Sequence, residues 1–184
     1  MKREIPLSRA HRIVNHGPVV LVTTQGKSGR PNVLAVAWIT PVSQSPPLVA
    51  ISVADGHYSH RLISEGGEFV VNVPSYTMAS QVMVCGKISG RDVDKFEKAQ
   101  LTPVPAKEVS PPLIEECIGH LECRLDQEVK VGDHTLFIGR VLKAWAEKDL
   151  FEETWRVDVK CGEALHHLGG NVFAVSREMV VVEE

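Results

Sequence analysis

Two long alternating runs back to back constrain this chain most. Ile118 to Val131 places Leu121, Cys123 and Leu125 on one side and Glu122, Arg124 and Asp126 on the other. After Gly132-Asp133, His134 to Ala146 returns with Leu136, Ile138 and Val141 apolar. Alternation of period two is the signature of a half-buried strand, and a glycine-bearing two-residue break between two such runs is hairpin chemistry. A chain committed to this hairpin must complete an antiparallel sheet around it.

The rest of the sequence supplies the partners. Pro18 to Thr24 is short and β-branched, Gln25 to Pro31 is compact turn chemistry, and Asn32 to Ile39 reads as the returning strand. Thr40 to Pro47 reads as a proline-braced loop, followed by a third strand at Leu48 to Val53. Tyr58 to Glu65 is predicted as a short helix stopped by Gly66-Gly67, and Phe69 to Val73 as a fourth strand closed by Pro74. Ser75 is placed to cap a helix from Tyr76 to about Val84. Residues 86–96 read as a polar stretch, and four prolines at 103, 105, 111 and 112 exclude a helix there. In the tail, Asn171 to Val175 and Met179 to Val182 read as two short strands, or a strand and an extension. The sum is an all-β dominated, antiparallel domain with short helices. Closure into a barrel is favoured because it removes exposed edges.

Composition narrows the function classes. A chain of 184 residues is expected to form a single domain, 1–184. Net charge is −3, with no Lys/Arg-rich block, so nucleic acid is not expected as a partner. No apolar run has the length of a membrane helix, and the N-terminus lacks the apolar core of a signal peptide. Cys85, Cys117, Cys123 and Cys161 match no metal or cluster spacing and are expected reduced, as in a cytoplasmic protein. His166-His167 is a poor metal pair, because adjacent residues on a strand face opposite sides. No G-x-G-x-x-G, G-x-S-x-G, H-E-x-x-H or phosphate-loop motif occurs, so no metal and no side-chain catalyst is expected.

A binding site is legible nonetheless. Asn32, Trp38 and Thr40 have the same parity, which would align an amide, an indole and a hydroxyl on one face, suited to a flat, polar-edged ligand. Ser52, Ser59 and the turn Asp55-Gly56-His57 offer hydroxyl and backbone N–H donors ahead of a helix start, where a phosphate could sit. The same residues would also serve as plain helix caps.

In order and spacing, these segments resemble the flavin reductase-like proteins, and within them the flavoredoxin-type FMN-binding group. The resemblance rests on Gly17 to Thr24, Arg30 to Trp38, Pro46 to Val53, Glu68 to Pro74, Ser89 to Phe96, Gly132 to Gly139 and His166 to Asn171. It implies a Greek-key split β-barrel, a homodimer, and FMN as cofactor. It implies NADH or NADPH as hydride donor, with free flavin, a redox protein or a metal ion as acceptor. An FMN electron carrier without its own nicotinamide site, or a non-enzymatic binding module, are the alternatives on the same fold. It further implies that Asn32, Trp38, Ile39, Thr40, Pro41, Val42 and Ser43 lie along the isoalloxazine. Ser52, Val53, Ser59 and His60 would hold the ribityl phosphate, and Lys95 and His167 would complete the pocket, with Lys95 expected beside the ring. Where many relatives carry two phosphate-binding arginines this chain has Ala54 and His57, so the cation would come from Arg61, Arg91 or a partner subunit.

Overall fold

The computed structural model describes residues 2–180 and 182. Seven strands form the main sheet: β1 (Val20–Gln25), β2 (Pro31–Val36), β3 (Ile39–Gln44), β4 (Pro47–Ala54), β5 (Glu68–Val73), β8 (Gly119–Val131) and β9 (His134–Ala146). Between β5 and β8 lie the two-residue strands β6 (Pro103–Val104) and β7 (Leu113–Ile114); β10 (Leu165–Gly169) and β11 (Val172–Val175) make a separate hairpin. The main order is β2-β1-β5-β8-β9-β4-β3, and every neighbouring pair is antiparallel. The two outermost strands, β2 and β3, are consecutive in the chain and joined only by Ala37 and Trp38. The sheet therefore curls until its ends meet.

Parity shows the closure. Val20 and Val22 of β1 and Leu34 and Val36 of β2 share one buried cluster with Val49, Ile51 and Val53 of β4, Phe69 and Val71 of β5 and Phe137 of β9. That cluster is the barrel interior, reached from both ends of the strand order. The alternate residues, Leu21 and Val33, face outward into a second core. This is closed by α3 (Ala79–Lys87), α4 (Lys95–Ala99) and the β10–β11 hairpin. A strand buried on both faces loses its polar alternation, which is why β1 reads as one apolar run. Helix α2 (Tyr58–Gly66) follows β4 and inserts Ile63 into the barrel. It stops at Gly67, whose φ of 67° is left-handed. The fold is the expected antiparallel split barrel.

Several local expectations are corrected. The segment read as a loop, Thr40 to Pro47, is mostly strand: β3 pairs with β4 from Ile39↔Ile51 to Gln44↔Pro47, with a bulge between Pro41 and Ser43. Prolines are tolerated there because β3 is an edge whose outward N–H groups need no partner. Ser75 does not cap a helix: its hydroxyl bonds the Thr77 hydroxyl at 2.7 Å, a 3-10 turn spans Tyr76–Met78, and α3 begins afterwards. The polar stretch ends in α4, where the Asp94 carboxylate accepts from the N–H groups of Phe96 and Glu97. In the tail β11 is found, but its partner β10 was not foreseen. Met179, Val180 and Val182 form no strand, and Val181 lies outside the described residues.

Glu122 also departs from expectation. Leu121, Cys123 and Leu125 pack into the barrel core as their alternation predicts, while bulges after Glu122 and between Leu125 and Gln127 shift the register with β9. The Glu122 carboxylate is buried, and accepts from the N–H groups of Lys107 and Glu108 and from Trp145 Nε1 at 2.7 Å. Three donors satisfy a group that would otherwise be costly to bury.

Candidate functional site

The seam between β2 and β3 carries a cleft with two adjoining parts. The first is a polar recess of about 230 Å³ between the start of α2 and the loop leading to α4. Asn32 donates its amide to the Ser59 hydroxyl at 2.7 Å, and both residues are buried. Arg91 reaches across to the Gly56 carbonyl at 3.4 Å. Arg61 and Arg91 lie over the Tyr58 ring, at 5.1 and 5.7 Å. Lys95 is 4% exposed and donates to the Cys85 carbonyl at 2.7 Å. Burial holds its pKa below the ordinary lysine value, and pushes that of the neighbouring Cys85 thiol up to about 11. The recess therefore gathers hydroxyl, amide and cationic donors with little competing negative charge.

The second part is a slot of about 240 Å³ that shares Leu34 and His57 with the recess. Its rings are Trp38, His11, His57, His134 and His167. His134 lies 4.8 Å from Trp38 at 31°, and His11 meets Trp38 edge-on at 5.8 Å. The Asp133 carboxylate orients His134 from 2.7 Å. Burial, and then the proximity of His134 and Lys95, keep His57 below the usual imidazole pKa. On the far side of Trp38 a further hollow runs along Ile39, Thr40 and Ala50. Such a shape takes an elongated ligand with an anionic end and a flat end.

The residues singled out in the sequence divide accordingly. Asn32, Ser59 and Lys95 line the recess; Trp38, Ser52 and His167 line the slot; Ile39 and Thr40 line the hollow beyond it. Asn32, Trp38 and Thr40 are not a single row, because the strand breaks at Ala37 and Trp38, leaving Asn32 at one end of the cleft and Trp38 at the other. Pro41, Val42 and Ser43 sit on edge strand β3 outside all three pockets, with Val42 exposed. Val53 is in the barrel core. His60 bonds Thr135 at 2.8 Å and packs edge-on against Phe137, turned away from the cleft. Lys95 lies in the recess with Ser59 and not in the slot with Trp38. His166 and His167 do face opposite ways: His166 bonds the His16 carbonyl and Ser176, leaving only His167 toward the cleft.

Sequence reasoning missed His11, Arg12 and Asn15, which come from the short segment around α1 (His11–Val14), and His134. The first three belong to no periodic pattern. His134 could have been found, since it opens β9 opposite Ala54, the last residue of β4.

The chain matches the flavin reductase like domain over residues 12–174. It is 37% identical to the uncharacterized protein YddH of Escherichia coli strain K12, over 98% of each chain. Its structure is similar to that of flavoredoxin from Desulfovibrio vulgaris (Miyazaki F), with a TM-score of 0.86, 25% identity and coverage of 99% of this chain and 97% of that one. An FMN-binding protein from Thermus thermophilus, solved with bound 1-cyclohex-2-enone, gives 0.85 at 25% identity, covering 100% and 98%. With the barrel, its seam and the cleft at that seam agreeing with these matches, the chain belongs to the flavin reductase-like family.

Proposed function

We propose that the protein is an FMN-dependent oxidoreductase that takes a hydride from NADH or NADPH and delivers electrons to an acceptor. The observation that carries this reading is the junction of a cation-bearing recess with an aromatic slot, which fits a phosphorylated flavin by its donor set. When bound, FMN supplies the redox chemistry, and the protein supplies binding and orientation. Arg91, Lys95 and the Ser59 hydroxyl would hold the phosphate, replacing the fixed arginines that Ala54 and His57 do not provide. Asn32, fixed by Ser59, would meet the ribityl chain. Trp38, His134 and His167 would flank the ring and exclude water. The flavoredoxin and FMN-binding neighbours support the choice of cofactor.

The decisive experiment is the visible spectrum of the purified protein with FMN, followed by anaerobic titration with NADH and with NADPH. Bleaching of bound flavin on the timescale of turnover is the expected result. Bleaching by dithionite alone would assign an electron carrier. A protein that stays colourless with excess FMN would overturn the reading. A homodimer in the cytoplasm is part of the proposal; the 40% exposure of Trp38 beside the cleft supports the first point.

One glycine tests the recess directly. A Cβ on Gly90 would overlap the Asn32 side-chain oxygen. Gly90→Ala is therefore expected to displace Asn32 from Ser59 and weaken FMN binding about tenfold, near the loss of one good hydrogen bond. Fluorescence titration of FMN reads this out. Unchanged affinity would remove Asn32 from the site.

A further inference from the structure

We propose that the N-terminal arm holds the 2′-phosphate of NADPH, making NADPH and not NADH the nucleotide this protein selects. The role in hydride supply rests on the oxidoreductase reading of the cleft, whereas binding of the nucleotide does not. The first sixteen residues carry Lys2, Arg3, Arg9 and Arg12 against Glu4 alone, in a chain whose net charge is −3. A local excess of one sign, against the sign of the whole, raises the concentration of anions beside it.

The fold brings three of those cations to one place. Pro6 opens a 3-10 turn at Leu7–Arg9, and the Arg9 N–H bonds the Pro6 carbonyl at 2.8 Å. Ala10 keeps helical angles, so the turn runs straight into α1. Arg9 and Arg12, three residues apart, therefore share one side of the winding. Together with Arg3, Ile5 and Pro6 they line a hollow of about 370 Å³, in which Glu4 is the one carboxylate among the described residues. Arg12 ties this hollow to the slot, since it lines both. The β10–β11 hairpin fixes it there: Nη1 donates to the Leu168 carbonyl at 3.5 Å, and a Cβ on Gly169 would overlap the guanidinium. A nucleotide whose nicotinamide meets a ring in the slot can continue past Arg12 and bring its adenosine end onto Arg3 and Arg9. NADPH differs from NADH only at that end, by one phosphate on the ribose. Guanidinium forks match phosphate oxygens two at a time, which a ribose hydroxyl cannot reproduce.

The test is calorimetric titration of the purified protein with adenosine 2′,5′-bisphosphate and with 5′-AMP, with and without saturating FMN. It is paired with anaerobic bleaching of bound FMN by NADPH and by NADH. The bisphosphate is expected to bind about tenfold more tightly than 5′-AMP, and NADPH to half-saturate bleaching at about a tenth of the NADH concentration. Arg3 and Arg9 are exposed and line neither the recess nor the slot. The double variant Arg3→Gln/Arg9→Gln should erase both preferences and leave FMN affinity unchanged. Equal binding of the two adenylates, or a preference that survives the double substitution, would overturn the proposal. So would loss of FMN affinity in that variant, which would give the arm to the flavin phosphate. A preference for the bisphosphate that depends on Arg3 and Arg9, in a protein whose flavin neither nucleotide bleaches, would sink the hydride-donor reading and leave this site standing.

Discussion

Replacing Asn72 with leucine is expected to lower the free energy of unfolding by about 3–5 kcal/mol, a large share of the roughly 5–15 kcal/mol a domain possesses. Asn72 is fully buried on β5. Its amide donates to the Leu21 carbonyl at 3.0 Å, and to Thr23 Oγ1 and the Val70 carbonyl at 3.3 Å each. Its oxygen accepts from the Ile114 N–H and from His120 Nδ1, both at 2.9 Å. Leucine matches its size but leaves the buried Ile114 N–H and the half-buried His120 Nδ1–H without a partner, and orphaned buried groups cost about 1–3 kcal/mol apiece. Thr23 meanwhile donates to the Pro112 carbonyl, so the network pins the proline-rich crossing between β5 and β8 onto the barrel. Urea denaturation should show a lower midpoint with an unchanged slope. A loss below about 1 kcal/mol would mean the crossing is held by its apolar contacts alone.

The same network gives a pH dependence of definite sign. Burial holds His120 below its ordinary value of 6.5. The unfolded chain therefore takes up a proton before the folded one does. Stability from this group is complete above pH 6.5 and is lost as the pH falls toward the depressed folded-state pKa.

Lys95→Met is expected to weaken FMN binding by about 10- to 150-fold, the equivalent of a charge-assisted bond of about 1.5–3 kcal/mol. The midpoint potential of bound flavin should stay within about 10 mV. The argument is positional. Lys95 shares the recess with Ser59 and Arg91, at the opposite end of the cleft from Trp38. A cation at the phosphate acts alike on oxidised and reduced flavin, whereas one at the ring favours the reduced anion. For a two-electron couple, about 30 mV corresponds to 1.4 kcal/mol, so a ring contact would be readily visible. Lys95 also satisfies the Cys85 carbonyl, so its loss carries a folding cost. Arg91→Gln provides the control, since Arg91 is exposed and should lower affinity in the same direction without that cost. A fall in potential with Lys95→Met would return this lysine to the ring.

What could be read from the sequence was what is local. The β8–β9 hairpin, the strand β1 and the glycine stop of α2 each follow from periodicity, β-branched composition or turn chemistry in adjoining residues. Pairings across distance were invisible. Nothing in Leu165 to Val175 reports that this hairpin folds back to close the outer core over β1 and β2, and nothing near His11 reports that it reaches Trp38. Glu122 looked solvent-facing because alternation tells only which side of β8 it is on, and not that the distant Lys107–Glu108 segment covers that side. Of the residues that line the recess, Asn32 and Ser59 were singled out through amide and hydroxyl chemistry on regular elements. Lys95 was singled out only through the family resemblance, which placed it beside the ring; it lies in the recess with Ser59, and no local pattern says which end of the cleft the loop before α4 crosses.

The prolines of β3 bear on how two copies could meet. An unpaired strand ordinarily invites a second chain to add a strand to it. Here Pro41 offers no N–H, the register breaks between Pro41 and Ser43, and the strand ends at Ser45-Pro46-Pro47. At the other end of the strand order, β2 begins at Pro31, and its outer residue Val33 is packed with Val82 of α3 and Phe96 of α4. β3 therefore presents no continuous row of backbone donors and acceptors, and β2 carries α3 and α4 on its outer face. The proposed homodimer would therefore rest on side-chain packing and not on a shared sheet, which would leave it sensitive to a single charge placed among its apolar contacts.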